Sequence, residues 1–140
     1  MFSISHTSQP KPVSADELDK IYTQVLLDSV YNPQSKISLP QADKQASLRN
    51  SSCGDEINVQ LKLSPDGQKI SQVGWQGDGC IISQAHMDGL ALVLRDKKVS
   101  DVKTWGQAEV LKVFGLPSIA PGRLKCLLLG LTAVQQALAK

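Results

Sequence analysis

A chain of 140 residues with 41% hydrophobic and 20% charged residues is long enough to bury a core without disulfides, and its composition is that of an ordinary folded domain. A formal net charge of +2, with 15 basic and 13 acidic residues well mixed, supplies no electrostatic footprint for nucleic acid and no basic run for a membrane surface. The apolar run Leu127-Leu128-Leu129 is far shorter than the roughly 18 residues of a membrane span. Met1-Phe2-Ser3-Ile4-Ser5-His6 lacks the charged start and apolar centre of a secretory signal, so the expected location is the cytoplasm.

Residues 1–13, rich in serine and proline, have no periodicity and read as a flexible tail ahead of a single domain over 14–140. Ser14-Ala15-Asp16-Glu17 fits a capping box, and Leu18, Ile21, Tyr22, Val25 and Leu26 follow with helical spacing until Asn32-Pro33. A long polar loop is expected over 34–52. Ile57, Val59, Leu61 and Leu63 then alternate with Asn58, Gln60 and Lys62, the pattern of a strand with one buried face. After the turn Ser64-Pro65-Asp66-Gly67, a second strand is expected over about 69–73, and a short third one from Trp75.

A helix is predicted over 81–95, with Cys80 at its N-terminal end and Gly89 packed closely on the sheet. Ser100 is expected to cap a further helical stretch to Phe114, broken near Gly106. The last helix begins near Pro121 or Gly122 and presents Leu124, Leu127, Leu128, Leu131, Val134 and Leu138 as a stripe. Cys126 lies off that stripe, on the side of Gly130, Ala133 and Ala137. The fold class is α+β: an N-terminal helix, a small three-stranded antiparallel sheet, then C-terminal helices on one face of the sheet.

The cysteines lie in Ser52-Cys53-Gly54-Asp55, Gly77-Asp78-Gly79-Cys80 and Arg123-Leu124-Lys125-Cys126. Three thiols cannot all pair within one chain, and in a reducing compartment they point to metal binding or reactivity. An extended backbone would turn Cys53 and Asp55 to the same face. A thiolate at Cys80 is favoured by the helix N-terminus, and Arg123 and Lys125 flank Cys126. The long spacings contain no C-x-x-C pair, so spacing alone says little. Ile82 stands where a dinucleotide fingerprint starting at Gly77 would need glycine. His6 lies in the expected tail. His86 projects from a different side of the helix than Cys80, and both histidines read as solvated.

Over nearly all of residues 17–140 the chain resembles the iron–sulfur cluster assembly proteins of the NifU N-terminal, IscU and SufU group. Leu18-x-x-Ile21-Tyr22-x-x-Val25-Leu26-Leu27-Asp28 with Tyr31-Asn32-Pro33 resembles the opening helix of the family. Cys53-Gly54-Asp55, then Gly77-Asp78-Gly79-Cys80-Ile81-Ile82-Ser83-Gln84-Ala85, then Arg123-Leu124-Lys125-Cys126 resemble its three ligand motifs in order. The resemblance implies Cys53, Asp55, Cys80 and Cys126 as ligands of zinc or of a transient iron–sulfur cluster, with Cys53 as persulfide acceptor. It implies a cysteine desulfurase as sulfur donor and iron–sulfur apoproteins as recipients.

Lys125 stands where IscU-like scaffolds carry histidine and SufU-like members carry lysine. Ile119-Ala120-Pro121-Gly122-Arg123 replaces the Leu-Pro-Pro-Val-Lys of the scaffold branch. The segment between Cys80 and Cys126 lacks most of the piece added in SufU, and His86-Met87-Asp88-Gly89 departs from the usual pattern there. The expected function is a scaffold and sulfur acceptor without classical enzyme activity. The alternatives are a zinc-dependent sulfurtransferase that activates the desulfurase without building a cluster, and a structural zinc domain.

Overall fold

The computed structural model describes residues 24, 28, 30–50, 54–115 and 121–140. In chain order the elements are β1 (Lys44–Asn50), β2 (Asp55–Leu63), β3 (Ile70–Asp78), α1 (Ile81–Val93), α2 (Val99–Val102), α3 (Gln107–Val113) and α4 (Pro121–Leu138). The strands form one antiparallel sheet in the order β1-β2-β3. α4 packs on β1 and β2, while α1 packs on β3 and on α4, giving the α+β arrangement of helices against a three-stranded sheet.

The central strand is the one the alternation marks most clearly. Ile57, Val59 and Leu61 are fully buried and Glu56 and Asn58 are exposed, so a period of two turns every second side chain toward the helices. Val59 sits opposite Ala46 on one side and Trp75 on the other. These residues join Leu90 and Leu94 of the α1 region and Leu127, Leu131 and Val134 of α4 in the core. No helix among the described residues is long and apolar enough to cross a membrane.

Two strand assignments differ from expectation. The stretch expected to be a loop over 34–52 contains β1, whose inward-facing apolar residues are only Ala46 and Leu48. An edge strand can be this polar because it has a single strand neighbour and one packed face, which leaves a weak periodic signal. The second and third expected strands are one continuous β3. Gly74 suggests a break, but its role is close approach: a Cβ there would lie 2.6 Å from the carbonyl oxygen of Ile37. The chain after Pro33 is held against this strand, with the Trp75 N–H donating to the Ser35 carbonyl at 3.1 Å.

Helix α1 is buried on nearly every side. His86, expected to be solvated, is 2% exposed, and its ring meets that of Phe114 edge-on at 4.7 Å. The end of α3 covers the side that helix periodicity alone would leave in water. Gly89 packs against the same Phe114 ring, 2.7 Å from an ideal Cβ, and not on the sheet. The stretch after Ser100 is two short helices, with Lys98 rather than Ser100 at the N-cap of α2. In α4 the leucine stripe is buried except for the half-buried Leu124 and Leu128, and the small-residue side is buried as well, where Gly130 lets Met87 of α1 come close.

Asp88, on the buried side of α1, ties three elements together. Its Oδ1 accepts from the Ser35 N–H at 2.7 Å and from Trp75 Nε1 at 3.1 Å, and its Oδ2 accepts from the Gln34 N–H at 2.9 Å. Of the expected N-terminal helix, Gln24, Asp28, Val30 and Tyr31 are helical; its capping box and the tail over 1–13 lie outside the described residues.

Candidate metal centre

Asp55 opens β2 on the same inward-facing row as Ile57 and Val59, and it is 0% exposed. The strand period therefore sends a carboxylate into the core-facing layer at the end of the sheet. Gly54 ahead of it adopts φ +73, and its N–H donates to the Asn50 carbonyl at 2.8 Å. This left-handed residue belongs to a turn. Gly54 is thus not extended, while Asp55 already belongs to the strand. Cys53 itself lies outside the described residues.

Cys80 occupies the junction of β3 and α1 as the N-cap, with extended backbone angles and its Sγ accepting from the Ser83 N–H at 3.4 Å. The expected position at a helix start is the observed one. Its own N–H donates to Asp55 Oδ1 at 2.7 Å. Cys126 arrives from the second turn of α4, on the side facing α1, and is buried. Its neighbour Lys125 is exposed.

Three donor atoms meet at this point. Cys80 Sγ and Cys126 Sγ are 3.5 Å apart, and each is 3.7 Å from Asp55 Oδ2. A sulfur separation of 3.5 Å is far beyond the bond of about 2.05 Å in a disulfide. It is close to the edge of a coordination tetrahedron: metal distances of about 2.3 Å to sulfur and about 2.0–2.2 Å to oxygen place ligand atoms roughly 3.5–3.8 Å apart. Among the described residues, Asp55, Cys80 and Cys126 form a group able to hold a metal ion. Two soft thiolates with one hard carboxylate suit zinc or iron better than magnesium or calcium.

The surroundings fix the carboxylate. Ser83, 2% exposed on the first turn of α1, donates its hydroxyl to Asp55 Oδ2 at 2.6 Å, and the same Oγ lies 3.4 Å from Cys80 Sγ. Gln84 Nε2 donates to the Gly79 carbonyl at 2.9 Å, steadying the link between β3 and Cys80. A Cβ on Gly79 would lie 2.4 Å from Asp55 Oδ1. Sequence reasoning assigned no site role to Ser83, Gln84 or Gly79. The available signal was the offset from Cys80 to Ser83, the spacing at which an N-cap side chain meets the third helical residue.

A model of the family described as NifU-like N terminal domain matches residues 21–140. The chain belongs to that family. The zinc-dependent sulfurtransferase SufU of Bacillus subtilis is 28% identical to this NifU-like chain over 142 residues, covering 88% of it and 92% of the relative. The iron–sulfur cluster assembly scaffold protein IscU of Thermotoga maritima is 27% identical over 135 residues, covering 86% and 94%. The crystal structure of a nitrogen-fixing NifU-like protein (N-terminal) from Brucella abortus superposes with a TM-score of 0.68 at 18% identity, over 87% of this chain and 94% of its own length. That likeness is one of fold.

Proposed function

We propose that this chain is an iron–sulfur cluster assembly scaffold and sulfur acceptor whose ligands are Cys53, Asp55, Cys80 and Cys126. The observation that supports it is the meeting of Asp55, Cys80 and Cys126, from a strand start, a strand–helix junction and a helix, within 4.8 Å of one another. Cys53 precedes Asp55 by two residues, and consecutive Cα atoms are about 3.8 Å apart, so chain connectivity keeps its Cα within about 7.6 Å of that of Asp55, within reach of a shared ion.

In this reading a cysteine desulfurase presents a persulfide and the Cys53 thiolate attacks its outer sulfur. A new S–S bond forms on Cys53, the donor's S–S bond breaks, and the desulfurase cysteine leaves as a thiolate. Iron and sulfide are the cargo, passed on to recipient apoproteins in the cytoplasm. Zinc, when bound, holds the cysteines as thiolates. Asp55 is the harder and more exchangeable ligand, which makes the site one that can release what it binds.

A second reading, zinc-dependent sulfur transfer without cluster assembly, is favoured by Lys125. With lysine there, the third motif offers no histidine ligand, as in SufU-like members, and the Bacillus relative carries that activity in its name. Anaerobic reconstitution with iron and sulfide separates the two. A visible absorption band and cluster transfer to an apoprotein support the scaffold; retained zinc with no colour supports the sulfurtransferase. For either one, Cys80→Ser is expected to lower the bound metal per chain, and unchanged stoichiometry would overturn the ligand assignment.

A further inference from the structure

We infer that Ser83 is a positioning residue that takes the place of the metal at Asp55, satisfying the carboxylate when the site is empty and so setting how readily the ion leaves. This rests on the reading of Asp55, Cys80 and Cys126 as ligands. A carboxylate that is 0% exposed is costly to bury unless donors meet it. Among the described residues the shortest such contacts fall on different oxygens: the Cys80 N–H on Oδ1 at 2.7 Å and the Ser83 hydroxyl on Oδ2 at 2.6 Å.

The two oxygens have different duties. Oδ1 is held by backbone, which fixes the plane of the carboxylate whatever side chain follows. Oδ2 is the oxygen 3.7 Å from both thiols, so it is the one that faces a shared ion, and it is the one Ser83 holds. A hydroxyl proton rotates to suit its acceptors, and Cys80 Sγ lies 3.4 Å from the same Oγ. At 2.6 Å the carboxylate oxygen is the closer acceptor for that proton, and on this inference it stays there whenever no ion is bound. Once an ion occupies Oδ2 and Cys80 is a thiolate, it turns to the sulfur.

The exchange is unequal. An O–H to carboxylate bond of 2.6 Å is at the short, charge-assisted end of the range, whereas an O–H to sulfur contact at 3.4 Å is weak. Removing the hydroxyl therefore destabilises the empty site more than the filled one. The ion then binds more tightly and leaves more slowly.

The test measures zinc release from zinc-loaded protein into excess chelator, together with zinc affinity by competition, for the natural chain, Ser83→Ala and Ser83→Thr; starting from loaded protein keeps the release assay open even to a variant unstable without metal. Loss of one hydrogen bond to a charged group predicts release slowed about tenfold or more in Ser83→Ala, with a lower thermal midpoint for the metal-free form. Ser83→Thr, which keeps the hydroxyl, stays near the natural rate. Release in Ser83→Ala that is unchanged or faster overturns the inference, as does a threonine variant as slow as the alanine one. If the natural chain binds zinc and Cys80→Ser does not, either of those results leaves the ligand reading standing; a natural chain that takes up no zinc overturns both.

Discussion

Asp55 owes its place to two neighbours without side-chain chemistry of their own. Gly54 turns the chain into β2 at φ +73, and Gly79 leaves room for Oδ1 beside the Cys80 N–H. A methyl group on Gly79 would lie 2.4 Å from Oδ1, and the carboxylate would have to give up its bond to the Cys80 N–H. Gly79→Ala is expected to weaken zinc binding by about 10- to 100-fold and to lower stability by about 1–3 kcal/mol, read by chelator competition and urea unfolding. Binding as tight as in the natural chain would show that this orientation is immaterial. That Asp55, Cys80 and Cys126 come together was legible because thiols are few and a thiol near a carboxylate is uncommon. Ser83 and Gly79 were not, since a serine or a glycine becomes part of a site only through what the fold sets beside it.

At the level of elements, the strongly periodic segments were readable and the lightly apolar ones were not. β2 and α4 declare themselves by alternation and by a leucine stripe. β1 has only Ala46 and Leu48 to mark it, and the burial of His86 depends on Phe114, which is distant in sequence. Asp88 was hidden for the same reason: its partners Gln34, Ser35 and Trp75 lie in other parts of the chain. It gathers three N–H donors that would otherwise be stranded in a largely buried place. Asp88→Ala should therefore lower unfolding free energy by about 2–4 kcal/mol, seen as an earlier urea midpoint. The emission of Trp75 should shift as its indole N–H loses its acceptor. A midpoint within experimental error of the natural one would contradict the tie proposed for this carboxylate.

Among the described residues, the core and the candidate metal site occupy different places, and that separation bears on whether a bound metal would be structural. Ile57, Val59, Leu61, Trp75, Leu90, Leu127 and Val134 belong to a buried cluster between sheet and helices whose members include none of Asp55, Cys80 and Cys126. The three described site residues sit at one end of these elements, where Asp55 is already met by the Cys80 N–H and the Ser83 hydroxyl. A zinc finger behaves differently, because its ligands supply most of what folds it. Protein stripped of metal by a chelator is expected to keep its far-ultraviolet circular dichroism and a cooperative thermal transition. Added zinc should then stabilise it by mass action, by about 2.7 kcal/mol when free zinc is a hundred times the dissociation constant. Loss of the transition on stripping would assign the metal to the fold; its persistence, with a midpoint that climbs as zinc is added, fits a centre built to be filled and emptied on a scaffold that stands without it.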